Sequence, residues 1–333
     1  MKKILVTGGA GFIGTNFVRF LLKRYPEVEI TNVDKLTYAG HPGNLSELKD
    51  DPRHRFVQAD IADAEKMHEL VGESDAVVNF AAETHVDRSI VDSTEFLRTN
   101  VLGTQVLLEA ARQTKLGRFL HISTDEVYGS IPKPESATET SPLEPNSPYA
   151  ASKAAADLLV RSYVVTYRVP ASITRSSNNY GPYQYPEKFI PLSITKALSG
   201  EKIPLYGDGQ QERDWIYVDD NCEAIDLVLR QGKVGEIYNI GAGEEVQNIM
   251  LLRQTLELLG KPTSLIEPVT DRPGHDRRYA MKVGKLESLG WKRRHNLEQG
   301  LQKTVQWYQN NPAWWKSLKT NAAPHWLAKE RQA

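Results

Sequence analysis

An α/β fold is predicted, built as a doubly wound parallel sheet with a smaller α/β lobe towards the C-terminus. Three observations carry this. Short apolar or β-branched runs alternate with amphipathic helical stretches through the first half, a glycine-rich turn follows the first of those runs, and after Ser176 the texture changes to loops rich in Asn, Gly, Pro and Tyr. Alternation of this kind reads as βαβ units, whose right-handed crossovers lay helices on both faces of a parallel sheet. At 333 residues the chain is long for one core and comfortable for two lobes. We place these at 1–176 and 177–333, with some later segments returning to the first.

The elements follow in order. Strands are expected over 3–7, 29–33, 55–57, 76–80, 118–123 and 171–174, and helices over 12–24, 94–113 and 149–167. The opening Met1-Lys2-Lys3-Ile4-Leu5-Val6 mimics a charged leader, but its apolar run stops at Thr7-Gly8-Gly9, so it reads as a first strand. No later apolar stretch nears the roughly 18 residues that a membrane span requires; a cytoplasmic protein with no membrane partner is expected. Near the end, Trp307, Trp314, Trp315 and Trp326 read as aromatic packing rather than a ligand platform. Lys and Arg total 41 against 42 Asp and Glu, a net charge of −1, which speaks against nucleic acid as a partner and leaves only small phosphate groups to be bound. A single cysteine, Cys222, cannot form an internal disulfide or a multi-thiolate zinc site, and no metal is expected.

Gly8, Gly9, Gly11 and Gly14 follow the first strand and open the first helix. Glycines there permit a tight turn and close approach of backbone to a pyrophosphate, whose charge suits the free N–H groups of a helix N-terminus. Asp34 ends the second strand 20 residues past Gly14, where a carboxylate can accept from ribose hydroxyls and repel a 2′-phosphate. A Rossmann-type unit binding NAD in preference to NADP follows, with Lys35 beside the acid keeping that preference moderate.

Two further groupings carry chemistry. In Ser147-Pro148-Tyr149-Ala150-Ala151-Ser152-Lys153 a serine caps a helix, proline takes its first position, and Tyr149 and Lys153 fall one turn apart on one face. A nearby ammonium and a cationic nicotinamide are expected to lower the phenol's pKa enough for it to take a proton from an alcohol. At the end of the fifth strand stand Thr124-Asp125-Glu126. Adjacent carboxyls in a dry cleft raise each other's cost of ionisation, so one can stay protonated as an acid while the other acts as a base, as elimination of water requires. Singly, each grouping has a plain alternative: a structural glycine turn, a chance spacing, two solvated loop acids. Their combination outweighs these.

Together the glycine turn, the Thr124-Asp125-Glu126 triplet and the Tyr149/Lys153 pair resemble the extended short-chain dehydrogenase/reductases and, among them, the dTDP-glucose 4,6-dehydratases. Further matching stretches are Phe80-Ala81-Ala82-Glu83-Thr84-His85-Val86-Asp87-Arg88-Ser89, Ser177-Asn178-Asn179-Tyr180-Gly181-Pro182-Tyr183-Gln184, Glu187-Lys188, Arg213-Asp214-Trp215 and Asp271-Arg272-Pro273-Gly274-His275-Asp276. Three departures stand out: Thr84 where Ser is common, Ser176 where Cys is common, and Glu212 in an apolar position, adding negative charge near the expected diphosphate contact.

The resemblance implies a tightly held NAD, regenerated each turnover and contacted by Gly8, Gly11, Phe12, Ile13, Gly14, Asp34, Lys35, Leu36, Thr37, Asp60, Ile61, Phe80, Ala81, Ala82, Glu83, Thr84, Thr99, Tyr149, Lys153 and Asn179. It implies a nucleotide-sugar, dTDP-glucose, held by Thr84, Thr124, Asn178, Lys188, Phe189, Pro204, Leu205, Tyr206, Arg213, Asn248, Asp271, Arg272, Pro273, Gly274 and His275. Tyr149 would take the C4 hydroxyl proton as hydride passes to NAD, with Thr124 on that oxygen and Lys153 on the ribose and phenolate. Glu126 would then remove the C5 hydrogen while Asp125 protonates the departing C6 hydroxyl. Return of the hydride to C6 gives the 4-keto-6-deoxy sugar. A homodimer is also implied, pairing the helices over 94–113 and 149–167, with Leu158, Val165 and the alanines 154–156 on the contact face. The rivals are a nucleotide-sugar 4-epimerase of the same fold and a dinucleotide-sensing protein without turnover.

Overall fold

A computed structural model of the chain describes residues 1–318. Twelve strands run in chain order: β1 (Lys3–Thr7), β2 (Glu29–Asp34), β3 (His54–Gln58), β4 (Ala76–Asn79), β5 (Arg118–Thr124), β6 (Ala171–Ser176), β7 (Asn178–Tyr180), β8 (Ile203–Tyr206), β9 (Glu212–Tyr217), β10 (Ile237–Ile240), β11 (Glu245–Gln247) and β12 (Ile266–Val269). Seven of them form one parallel sheet in the order β10-β6-β5-β4-β1-β2-β3. Buried on both faces, the central strands read as near-continuous apolar runs, which is why Val6, Val77 and Leu120 lose all contact with water.

One face carries the helices Phe12–Arg24 and Val218–Gln231, whose Phe17, Leu21, Ile225 and Val228 close a core over Ile4, Val6 and Val78. The other carries Ala64–Gly72, Thr104–Thr114 and Pro148–Tyr167, with Met67, Leu107, Leu108 and Val160 against Leu5, Val77 and Phe119. Each such fully buried aliphatic side chain contributes about 1.5–3 kcal/mol relative to exposure. Strand order reverses between β1 and β4, and at such a switch point the loops leaving the carboxyl ends diverge and open a cleft.

The five remaining strands build the smaller lobe: β11-β9-β7 in one sheet and β12-β8 in another. Its core gathers Tyr180, Ile194, Trp215, Leu251, Leu301 and Tyr308, with Trp315 buried among them and Trp307 and Trp314 packed against them. The fourth tail tryptophan, Trp326, lies outside the described residues. β10 crosses back to pair with β6 of the main sheet.

Two expectations need correction. The helix over 94–113 is broken: Thr94–Phe96 runs into wider π turns over Leu97–Gly103 before regular helix resumes at Thr104–Thr114. The wide turns coincide with Asn100, whose side chain accepts from the Glu83 N–H at 2.9 Å and donates to the Glu83 carbonyl at 3.0 Å. Ala154 and Ala156 do not face outward; both are buried within the chain, while Leu158 and Val165 are more than half exposed. Among the described residues no helix is long and apolar enough to cross a membrane.

Candidate active site

The glycine turn begins the cleft. Gly8 has φ +72°, and a Cβ there would meet the Ala81 backbone nitrogen at 2.6 Å; one on Gly14 would meet the Gly8 carbonyl oxygen at 2.3 Å. Only glycine lets these segments approach so closely. No side chain caps the helix that follows, so the N-terminal N–H groups remain free for an anion. Asp34 is buried at the end of β2, accepting from Ala10 N–H at 2.9 Å and Leu36 N–H at 2.8 Å. Burial raises its pKa and these backbone donors oppose the rise. The carboxylate therefore braces the turn as well as facing the cleft, a second task that spacing does not reveal. Lys35 is engaged with Asp60 at 2.9 Å, which blunts its pull on a 2′-phosphate.

All the expected cofactor residues except Leu36 line this one cleft, as do Thr124, Asp125, Glu126, Tyr149, Lys153, Asn178 and Lys188. Leu36 sits at φ +59° and contributes its N–H to Asp34. The glycine cradle, the uncapped helix end and the buried acid at β2 fit a dinucleotide.

The catalytic candidates converge from three elements. Ser147 caps the helix Pro148–Tyr167 by accepting from Ala150 N–H at 3.1 Å. On that helix Tyr149 is buried, its ring edge-on to Phe96 and its N–H given to Ser89 Oγ at 3.1 Å. The expected lowering of the phenol pKa is not what its protein surroundings produce: burial and the neighbouring Glu126 and Asp125 carboxylates push it up, with Thr124 opposing. Lys153 is no longer a plain cation either. Its Nζ donates to the Ile122 carbonyl at 2.7 Å, and burial brings its pKa down to about 8, with Asp157 pulling the other way.

Thr124 closes β5, and its Oγ accepts from Glu126 N–H at 3.3 Å while donating to Asp125 Oδ1 at 3.1 Å. Asp125 is 3% exposed and its Oδ2 has no partner among the described residues. Burial first, and Glu126 second, raise its pKa well above the usual carboxyl range. Burial also raises Glu126, with Arg272, Lys188 and Arg213 opposing the rise.

The remaining substrate candidates are divided. Lys188 Nζ donates to the Thr84 carbonyl at 2.6 Å inside the cleft. Beside it a second cluster forms around Asp87, which accepts from Tyr206 Oη at 3.2 Å and Arg272 at 3.4 Å. Asp271 takes Gln211 Nε2 at 2.9 Å and His275 Nδ1 at 2.6 Å, with Pro273 and Gly274 turning the loop between them. Asn248 keeps a buried carbonyl oxygen without a partner. Phe189 stacks on Trp215, and the Leu205 side chain, next to Pro204, is sunk in a core cluster, so neither side chain is free for a ligand. Arg213 is buried too, giving its guanidinium to the Glu212 and Asp276 carbonyls at 2.8 and 2.7 Å. The Glu212 charge meets Lys133 at 2.8 Å, which offsets the negative field expected from that departure.

Sequence reasoning missed a buried polar row beneath the site. Thr7, Asn79 and His121 are in register across β1, β4 and β5, joined by Thr7 Oγ1 to Asn79 at 2.6 Å and Asn79 to His121 at 3.3 Å. Asp157, one turn after Lys153, pairs with Arg175 at 2.8 Å, and Arg175 reaches Tyr128, which donates to Asn239 at 2.8 Å. The only sequence signal was Asp157 at i+4 from Lys153. Glu187 was quoted without a role; it lines the cleft with burial raising its pKa to about 7.

Residues 5–304 match the family model described as GDP-mannose 4,6 dehydratase. The dTDP-glucose 4,6-dehydratase of Streptomyces niveus is 50% identical over 96% of each chain. The chain belongs to the sugar-nucleotide 4,6-dehydratases. Among solved structures, a dTDP-glucose 4,6-dehydratase of Streptomyces venezuelae with NAD and TYD bound aligns with a TM-score of 0.93 at 52% identity, covering 95% of this chain and 99% of that one. A UDP-glucose 4-epimerase of Thermus thermophilus with NAD aligns with a TM-score of 0.86 at 33% identity, covering 93% and 99%. The fold of this 4,6-dehydratase is thus shared with epimerases.

Proposed function

We propose that this chain dehydrates dTDP-glucose to the 4-keto-6-deoxy sugar, working in the cytoplasm as an NAD-dependent hydro-lyase. The observation that carries the reading is the buried Asp125–Glu126 pair, both carboxyls raised by burial, beside Tyr149 and Lys153 in a dinucleotide cleft. The chemistry that bound NAD would supply is a hydride acceptor at C4 and a hydride donor at C6. Gly8, Gly11, Gly14 and Asp34 hold it, and residues 1–176 make most of its site; 177–333 supply mainly the nucleotide-sugar contacts.

Tyr149 acts as the base at the C4 hydroxyl, and Thr124 orients that oxygen. A phenol pushed up by its own surroundings needs opposing positive charge, which Lys153 and the oxidised cofactor supply together. Oxidation at C4 makes the C5 hydrogen acidic. Glu126, whose ionised form Arg272, Lys188 and Arg213 favour against burial, removes it. Asp125, kept protonated by burial, gives its proton to the C6 hydroxyl as water departs. A 4-epimerase has no use for that acid. The exposed Leu97, Leu102, Leu158 and Val165 lie on the two helices expected to pair in a homodimer.

Mass spectrometry across nucleoside-diphosphate glucoses tests the reading. A product lighter by one water, formed fastest from dTDP-glucose, supports it; a product of unchanged mass would move the assignment to epimerisation, and no product would point to a sensor.

A further inference from the structure

The roles proposed above leave one proton out of place after every turnover. Tyr149 starts as phenolate and ends protonated, holding the proton of the C4 hydroxyl. Asp125 starts as an acid and ends ionised, its proton having left in water. Glu126 takes a proton from C5 and one returns there, so it ends as it began. Before the next sugar can react, one proton must therefore travel from Tyr149 to Asp125, directly or by way of solvent.

A single hydroxyl stands between the two groups. Thr124 Oγ donates to Asp125 Oδ1 at 3.1 Å and accepts from Glu126 N–H at 3.3 Å. The same hydroxyl lies near enough to the Tyr149 phenol to favour its ionised form. Thr124, Asp125 and Tyr149 are 9%, 3% and 8% exposed, which leaves bulk water little access. A hydroxyl offers one donor and two acceptor positions. With Glu126 N–H given to it and Asp125 accepting from it, one acceptor position remains, which can serve the sugar's C4 oxygen during turnover and Tyr149 between turnovers.

We propose that Thr124 relays this proton, recharging Asp125 from Tyr149 within each catalytic cycle. The Tyr149 O–H bond breaks as Thr124 Oγ takes that proton, and the proton Thr124 already carried passes to Asp125 Oδ1. Phenol plus carboxylate becomes phenolate plus carboxylic acid, with no other reactant and no change of oxidation state. Before the next cycle the Thr124 hydroxyl rotates once to face Asp125 again. Asp214, the next carboxyl acting on Asp125, has its oxygens committed to the Ala242, Gly243 and Glu244 N–H groups at 3.1–3.4 Å, although burial raises its pKa to about 6. Arg213 does not release a proton at all.

The relay is needed between turnovers, not within the first one, and the test uses that difference. Thr124→Val, Thr124→Ser and wild-type enzyme with their bound NAD are mixed with saturating dTDP-glucose, and dehydrated product per site is followed by rapid quench. Thr124→Val should make about one product per site and then continue at least about tenfold more slowly. Thr124→Ser, which keeps the hydroxyl, should show no such drop between its first and later turnovers, and added imidazole buffer should speed the slow phase of the Val enzyme alone. A Val enzyme whose first and later turnovers slow by the same factor, or whose slow phase ignores imidazole, overturns the relay. Thr124→Ala repeats the measurement should the Val chain not fold. Absence of dehydrated product from wild type would instead reject the proposed function.

Discussion

Glu126 is where the proposed chemistry is most exposed to a single substitution. Glu126→Gln keeps size and leaves Tyr149, Lys153 and Thr124 in place, but an amide is no base near neutral pH. Dehydration should fall about 10²- to 10⁴-fold, while bound NADH and 4-keto-glucose accumulate, read by absorbance and by mass. Near wild-type dehydration would make Glu126 a bystander. The acidities give a sign to the pH profile. Ionised Glu126 and protonated Asp125 are both required, and both carboxyls are raised. Turnover should therefore rise with pH through the elevated Glu126 value, then fall as Asp125 and, near its value of about 8, Lys153 lose their protons. A kcat that is flat from about pH 5 to 9 would contradict that arrangement. Asp34→Ala should weaken NAD binding by at least about tenfold and relax discrimination against NADP. Because Asp34 also takes the Ala10 and Leu36 N–H groups, the variant should melt earlier as well. Unchanged affinity for both dinucleotides would mean that the adenosine ribose lies elsewhere.

At the scale of elements, legibility followed local physics. Strands and helices of the first lobe were readable because β-branched runs and apolar spacing set them directly; the helix Phe12–Arg24 has the bounds its pattern predicts. The π turns over Leu97–Gly103 were not, since they answer to Asn100 gripping Glu83, a contact between elements 17 residues apart. The Asp125–Glu126 pair was legible because two adjacent acids at a strand end are locally odd. Arg213 was read as a nucleotide-sugar contact, and its Nη1 and Nη2 also donate to the Glu212 and Asp276 carbonyls, a tertiary engagement that spacing does not reveal. The Asp157–Arg175 pair belongs to the same unreadable class, and it anchors the helix of Tyr149 to β6. Asp157→Ala strands a buried guanidinium and should cost about 3–5 kcal/mol in urea unfolding; a loss below about 1 kcal/mol would place that pair in solvent.

For the whole molecule, the two lobes bring a dinucleotide cleft and a cationic cluster to one Glu126, and the helices of the proposed dimer carry exposed leucines. Light scattering at micromolar concentration should give twice the chain mass, and Leu102→Glu with Leu158→Glu should give monomers. Wild-type monomer alone would reject the dimer. The central claim is that oxidation, loss of water and reduction occur within one bound sugar. It is tested most directly by turning over dTDP-glucose deuterated at C4 and locating the label by NMR. The account predicts a product lighter by one water, with the C4 deuterium now at C6 of the same molecule and one solvent hydrogen at C5. Deuterium remaining at C4, in a product that has kept its water, would contradict it.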